Sequence, residues 1–174
     1  EIPLRLVGSE MCIRDSLKTA VLLAASLKIG ARLGGASVED ADRLYDFGMH
    51  IGVAFQLKDD LLDVYGNAKV FGKNIGGDIL CNKKTYMLIK ALEHANADQH
   101  NQLNSWINAE TFQPAEKIAA VTELYDRIGV KAVCENKILE YSNRAMESLA
   151  AVSIAEEKKE ELKKIIENLI HREV

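Results

Sequence analysis

Proline and strand-like alternation are both scarce in this sequence, which holds only 2 prolines among 174 residues. Because proline disrupts helix interiors, its scarcity leaves long helices uninterrupted. Apolar residues instead recur every three or four positions, and this period predicts an all-α protein. With 48% hydrophobic and 28% charged residues, the chain has enough apolar mass for a core, and its length suits one domain.

Cysteine, positive charge and long apolar runs are also limited. The three cysteines (Cys12, Cys81 and Cys134) are far apart and form no Cys-x-x-Cys pair, which argues against a disulfide framework or a zinc site and fits a reducing cytoplasm. The most apolar run, residues 20–27, is too short to span a bilayer. A net charge of −4 argues against a nucleic-acid partner. We therefore expect a cytoplasmic protein that neither inserts into a membrane nor binds nucleic acid.

Residues 1–16 differ in character from the rest of the chain because they show no sustained helical period. They resemble a translated sequencing-adapter read-through, and we interpret them as a non-native segment. The alternative is a genuine but irregular N-terminal arm. A signal peptide fits poorly, since Glu1 and Glu10 flank a short apolar run.

A cluster of acidic residues follows the longest helical pattern. Upstream of it, small and apolar residues mark one predicted inward face: Ala41, Leu44, Tyr45, Gly48, Ile51, Gly52 and Phe55. Steps of four from Phe55 lead to Asp59 and Asp63, with Asp60 beside them. Buried carboxylates need a multivalent cation or basic side chains nearby. Mg²⁺ binds oxygen ligands, and it commonly binds carboxylates and substrate phosphates at the same time. The pattern therefore favours a metal and diphosphate site. The alternative is a solvated acidic helix end, because the helix phase drifts by about 40° per four-residue step.

The connection after this helix predicts a ligand-binding loop. Residues 64–78 contain four glycines and two lysines, Lys69 and Lys73. We expect Gly66 to end the helix in the left-handed conformation and the lysines to bring positive charge near the carboxylates. The loop is not a P-loop, because a helix precedes it and Asn74 replaces the hydroxyl residue of that motif.

Together these residues resemble the second aspartate-rich region of the trans-isoprenyl diphosphate synthases, the polyprenyl synthetase family. The resemblance rests on Phe55-Gln56, Asp59-Asp60, Asp63, Gly72-Lys73, Gly76, Asp78 and Lys83-Lys84-Thr85, with Lys18-Thr19-Ala20 upstream. Each motif is weak alone, but the combination is specific. The resemblance covers residues 17–174 and implies the helical bundle of the isoprenoid synthases, lacking its N-terminal half.

The resemblance also implies a reaction and a set of site residues. The reaction is Mg²⁺-dependent condensation of an allylic prenyl diphosphate with isopentenyl diphosphate, in a protein that is a homodimer when full-length. The metal ligands would be Asp59, Asp60 and Asp63; the diphosphate-binding residues Lys18, Lys73 and Lys83; and the catalytic residues Lys18, Thr19 and Gln56. Structural alternatives remain for four of these: an exposed first-turn lysine at position 18, a capping threonine at position 19, a buried amide at position 56 and a surface lysine at position 83.

One departure from the family pattern bears on activity. The first aspartate-rich motif of the family would lie upstream of Leu17, where this sequence has no such motif. We therefore expect this chain alone to be an inactive or nearly inactive fragment of a synthase. A second hypothesis is a non-catalytic helical partner subunit, although such relatives usually lose the aspartates that are present here. A terpene cyclase is a third, but it would not be expected to combine these motifs.

The remaining segments predict packing helices. Ser37 begins a capping-box pattern, Pro114 suits a first helical turn, and Gly129 separates two helices. Residues 155–174 carry a narrow apolar stripe between Glu and Lys residues: Leu162, Ile165, Ile166, Leu169 and Ile170.

Overall fold

Helices form every regular element in the part of the chain that the structure describes. The computed structural model describes residues 19–66 and 75–170. Its α-helices are α1 (Val21–Leu33), α2 (Val38–Tyr65), α3 (Gly77–Leu80), α4 (Tyr86–His94), α5 (Ala97–Ile107), α6 (Pro114–Ile128), α7 (Val130–Ala150) and α8 (Glu160–Ile170), with a 3₁₀ turn at Glu156–Lys158. The predicted all-α class is confirmed. Within these ranges, no helix has the length and apolar character needed to cross a membrane.

Side-chain caps and special residues set most helix boundaries. The Ser37 hydroxyl accepts a hydrogen bond from the backbone N–H of Asp40, which starts α2 as predicted. Thr85 caps α4 through the N–H of Leu88, and Asn96 with Gln99 forms a complete capping box at α5. Pro114 lies in the first turn of α6, and left-handed Gly129 ends that helix. Both features agree with the sequence prediction.

The chain divides into two compact units. The unit formed by Asp59–Glu135 begins inside α2 and ends inside α7. We call it the acidic unit, and its described residues are 59–66 and 75–135. The other unit, formed by Cys12–Lys58 and Asn136–Arg172, is called the groove unit, and its described residues are 19–58 and 136–170.

The acidic unit is built around α6, which contacts α3, α4 and α5. The buried face of α6 presents Val121, Leu124 and Tyr125. The other buried apolar residues of the acidic unit come from the adjoining helices: Leu61, Leu62, Ile79, Met87, Leu88, Ile89, Ala91, Leu103, Val130 and Cys134. The short α3 (Gly77–Leu80) is thus held against a longer helix.

In the groove unit, α1 and α2 approach each other closely at two glycines. A Cβ added to Gly48 would lie 2.5 Å from the Cα of Ala24, and one added to Gly52 would lie 2.5 Å from the Cα of Ala20. Such distances leave no room for a side chain. The two glycines therefore set the separation between the start of α1 and the second half of α2.

Two details of the sequence prediction are wrong. Gly66 is not left-handed: the described glycines with positive φ are Gly35, Gly76 and Gly129. The N–H of Gly66 instead donates to the carbonyl of Leu62 at 2.8 Å, so it continues the helical bonding pattern. The predicted inward face is buried at Ala41, Gly48, Ile51 and Gly52, but Phe55 was wrongly included in it, because Phe55 is 37% exposed. The reason is that Phe55 lines an open groove, described below, instead of the core.

Candidate functional site: an acidic cluster and an apolar groove

The centre of the acidic unit's candidate site is one lysine held by two carboxylates. Lys83 Nζ donates to Asp60 Oδ1 at 2.9 Å and to Asp78 Oδ2 at 2.6 Å. Asp60 is only 2% exposed. Burial lowers the pKa of Lys83, but the hydrogen bonds from its ammonium to Asp78 and Asp60 outweigh this effect and raise the pKa above its ordinary value. Lys83 therefore remains charged and neutralises part of the acidic cluster.

Asp63 is fixed by the backbone at the start of α3. Its Oδ2 accepts the N–H of Asp78 at 2.9 Å, and the N–H of Gly77 also bonds to this carboxylate. Burial raises the pKa of Asp63, and the nearby negative charge of Asp78 adds to the increase, although the two N–H groups and Lys83 oppose it. Two carboxylates of like charge therefore lie close together, as in a site that attracts a cation.

A left-handed glycine brings α3 to Asp63. Gly76 has a φ of 86°, and its N–H donates to the carbonyl of Asp63 at 2.6 Å. A Cβ on Gly76 would lie 2.7 Å from Cδ1 and Cγ1 of Ile118 on α6. The backbone therefore passes tightly between α2 and α6 before it turns into α3.

The groove unit contains the other described site residues, Thr19 and Gln56. The Thr19 hydroxyl donates to Gln56 Oε1 at 3.5 Å, which is a long hydrogen bond. Gln56 is 8% exposed, and it lies one helical turn after Gly52, the glycine that packs against Ala20. The helix packing thus brings together two polar side chains that are 37 residues apart in sequence.

Thr19 also lines an apolar groove in the same unit. The groove has a volume of about 720 Å³. Apolar side chains form most of its lining: Leu22, Leu23, Ile51, Phe55, Ile165 and Leu169. Leu22 is 73% exposed and Ile165 is 49% exposed. Exposed apolar surface of this kind is typical of a ligand groove or a protein contact.

Five of the predicted site residues form two connected groups. Asp60, Asp63 and Lys83 are connected through the ion pairs and backbone bonds around α3, whereas Thr19 and Gln56 are connected in the groove unit. Asp59 is partly exposed on the same helix. Lys18 and Lys73 lie outside the described residues. Of the three acids predicted as metal ligands, Asp60 is the most buried.

Two residues that pack in or beside this cluster were not among the predicted site residues. Asp78 was only part of a motif, yet it is the second carboxylate on Lys83. Its spacing of five residues from Lys83 could have suggested a pair across a short helical turn. Lys117, in contrast, lies 35 residues from its partner Asn82 and gave no local signal.

The chemistry of the acidic cluster fits a hard divalent cation, but its ligand set is incomplete. The carboxylate oxygens of Asp60 and Asp78 both bind the ammonium of Lys83, so a positive charge already lies between them. Carboxylate oxygens are also the ligands that hard divalent cations prefer. However, no three His, Cys, Asp or Glu side chains of residues 19–66 and 75–170 are grouped closely enough to hold an ion. Any metal bound here would therefore need further ligands from a substrate or from other residues.

Comparison with known proteins gives the family. The family model described as polyprenyl synthetase matches residues 13–125. The chain is 34% identical over 156 residues to a short chain isoprenyl diphosphate synthase of Methanothermobacter thermautotrophicus, which covers 90% of this chain and 47% of that protein. It is 30% identical over 159 residues to a (2E,6E)-farnesyl diphosphate synthase of Mycobacterium tuberculosis, with 90% and 44% coverage.

Solved structures agree with this assignment. A crystal structure of a geranylgeranyl pyrophosphate synthase matches with a TM-score of 0.87 and 33% identity over 95% of this chain and 52% of that one. A geranylgeranyl pyrophosphate synthase from Corynebacterium glutamicum, complexed with isoprenyl diphosphate and magnesium, matches with a TM-score of 0.83 and 30% identity over 99% and 48%. The chain belongs to the polyprenyl synthetase family, and it spans about half the length of the curated relatives it matches.

Proposed function

We propose that the chain is part of a prenyltransferase that condenses an allylic prenyl diphosphate with isopentenyl diphosphate. The observation that carries the proposal is the Asp60–Lys83–Asp78 cluster beside Asp63, in a chain of the polyprenyl synthetase family. Relatives are named as farnesyl, geranylgeranyl and short chain isoprenyl diphosphate synthases, so the allylic substrate and product length stay open.

The acidic unit is proposed to hold the diphosphate end of the substrate. Asp59, Asp60 and Asp63 would be the Mg²⁺ ligands from this chain, directly or through water. Bound Mg²⁺ supplies positive charge that stabilises a departing diphosphate. An ammonium has three donors, and Lys83 uses two on carboxylates, which leaves one for a diphosphate oxygen. By the family resemblance, Lys18 and Lys73 add further positive charge.

The apolar groove of the groove unit, taken by itself, is proposed to accept a prenyl hydrocarbon chain. The groove is mainly apolar, and the oxygen atoms of Thr19 and Gln56 are polar groups able to stabilise a developing allylic cation. Its apolar walls would exclude water, which would otherwise capture that cation.

The chain alone is proposed to have little or no activity, because its described acids do not complete a metal site. The complete protein is proposed to be a cytoplasmic homodimer, which cell fractionation and light scattering would test. A prenyl transfer assay with labelled isopentenyl diphosphate is expected to show no turnover by the 174-residue chain. Turnover at the rate of a full-length relative would contradict this.

Calorimetric titration with a non-hydrolysable prenyl diphosphate tests the diphosphate site directly. Binding is expected to require Mg²⁺ and to be lost in Asp63→Asn, which removes one negative charge and keeps the side-chain shape. Asp98→Asn is the matched control, because Asp98 is an exposed acid in the first turn of α5. Equal binding by both variants would refute the assignment of Asp63.

The alternative is a non-catalytic partner subunit, and one observation favours it: the apolar side chains Leu22, Ile29 and Leu33 along α1 are highly exposed. A partner subunit would form a stable complex with a full-length synthase and would bind no prenyl diphosphate. Magnesium-dependent binding that Asp63→Asn abolishes would exclude this role.

A further inference from the structure

A buried lysine lies behind the acidic cluster, and the proposed mechanism does not use it. Lys117 on α6 is 1% exposed, although lysine is among the residues least often buried. Its Nζ donates to Asn82 Oδ1 at 2.7 Å and lies 4.2 Å from the centre of the Phe112 ring. Neither partner carries a negative charge. Burial accordingly lowers the pKa of Lys117. An ammonium in such surroundings costs stability, so its presence calls for another explanation.

The partner of Lys117 is the residue next to Lys83 in the chain. Asn82 has a φ of 50°, the one positive φ among the described non-glycine residues. Asparagine adopts this conformation more readily than most residues, but it still needs support from its surroundings. The side-chain amide of Asn82 provides this support. Its Oδ1 accepts a hydrogen bond from Lys117, and its Nδ2 donates one to the carbonyl of Ile107 at 2.9 Å. The turn that carries Lys83 is thus tied to α5 and α6.

The backbone of this turn leads directly to the ion pairs. The N–H of Asn82 donates to the carbonyl of Ile79, and the N–H of Lys83 donates to the carbonyl of Asp78 at 2.9 Å. If Asn82 left its strained conformation, Lys83 would rotate with it, because the two residues share a peptide bond. The side chain of Lys83 would then no longer reach both Asp60 and Asp78.

The space around these residues is small. Asn82, Lys83 and Lys117 line a cavity of about 20 Å³. That volume accepts about one water molecule. Lys117, which is 1% exposed, consequently has little room to move.

We propose that Lys117 is a positioning residue that, by holding Asn82 in its left-handed turn, keeps Lys83 on Asp60 and Asp78. Lys117 touches neither carboxylate in this arrangement and acts through Asn82 alone. The consequence for diphosphate binding rests on the proposed function, whereas the effect on Lys83 does not.

Nitrogen-15 NMR of lysine ammonium groups tests the proposal on the 174-residue chain. Held between two carboxylates, the Lys83 ammonium is expected to exchange slowly enough to be observed, and its signal is assigned by its loss in Lys83→Arg. The signal should disappear in Lys117→Met, which keeps the buried stem, and in Asn82→Ala, which removes the amide that Lys117 holds and disfavours the left-handed conformation. Lys90→Met is the matched control, because Lys90 pairs with Glu93 on α4.

The outcomes separate positioning from simple structural support. Loss of the Lys83 signal in the Lys117 and Asn82 variants, with circular dichroism unchanged, supports the proposal. Persistence of the signal in either folded variant overturns it, as does its absence from the wild-type chain. If Lys117→Met does not fold, Asn82→Ala decides.

Binding of inorganic diphosphate with Mg²⁺ then tests the functional consequence. Loss of a residue that orients ligands in this way typically weakens binding by about 10- to 100-fold. We expect that decrease in Lys117→Met and none in Lys90→Met. If the wild-type chain binds no diphosphate, the proposed function fails for this chain, while the ammonium signals still decide the role of Lys117.

Discussion

Replacing Gly76 by alanine should damage the acidic unit by two separable effects. Gly76 has a φ of 86°, and an alanine in the left-handed region costs about 1–2 kcal/mol. The new Cβ would also lie 2.7 Å from two side-chain carbons of Ile118. Overpacking of that kind costs about 1–3 kcal/mol. The expected loss in the free energy of unfolding is therefore about 2–5 kcal/mol.

Gly129 offers a matched control for the backbone effect. Its φ is 81°, and a Cβ there would meet nothing within 4 Å. Gly129→Ala should therefore cost only about 1–2 kcal/mol. Both glycines belong to the acidic unit, as does Trp106, the single tryptophan of the chain. Urea unfolding followed by tryptophan fluorescence measures the two losses in the same unit.

The contact with Ile118 can be tested by a double variant. Ile118→Ala removes the atoms that a Cβ on Gly76 would meet, so the double variant should lose less stability than the sum of the single changes. Equal losses in Gly76→Ala and Gly129→Ala, or strict additivity with Ile118→Ala, would refute the steric argument. Either result would mean that the backbone near Asp63 relaxes without cost.

Three other predictions follow from the packing and ion pairs. Gly52→Ala should destabilise the groove unit by about 1–3 kcal/mol through its clash with Ala20, whereas Gly30→Ala, in open space, should stabilise it by about 0.5–1 kcal/mol; thermal unfolding measures both. Lys83→Met leaves the buried Asp60 carboxylate without the ammonium that pairs with it, so the free energy of unfolding should fall by about 3 kcal/mol. An unchanged free energy in urea titrations would contradict a stabilising role of the Lys83–Asp60 ion pair. Hydrogen bonds from Lys159 and Lys163 lower the pKa of Glu156 from 4.5 to about 2, so its stabilising effect is present above pH 4.5 and disappears as the pH falls through about 2. Glu156→Gln should accordingly lower the melting temperature much more at pH 7 than at pH 2; an equal decrease at both values would exclude the ionic cause.

Local chemistry made the helices predictable. Ser37, Pro114 and Gly129 act on neighbouring residues, so their effects are visible in the sequence, and the structure confirms the boundaries they predict. The exposure of Phe55 was not predictable from its period, because a groove wall and a core wall have the same apolar pattern. Gly66 continues the helical bonding to Leu62, and local sequence does not specify whether a glycine at a helix end does so or turns left-handed.

The site was only partly predictable for the same reason. The acids and lysines were recognised as types and by their spacing, but their partners depend on packing across the unit. Asp78 reaches Lys83 within one short turn, whereas Lys117 reaches Asn82 only because α3 packs on α6. Whether Lys18 and Lys73 act as expected stays a prediction.

The close approach of α1 and α2 affects how mutational data on this protein should be interpreted. At positions 20, 24, 48 and 52 only the smallest side chains fit, so almost every substitution in a saturation scan would separate the helices. Thr19 and Gln56 depend on that separation. Such a scan would give the packing residues the same low tolerance as the proposed chemical ones. A position on these helices that tolerates no substitution could therefore be one where the two backbones lie close together, and need not be one that takes part in a reaction.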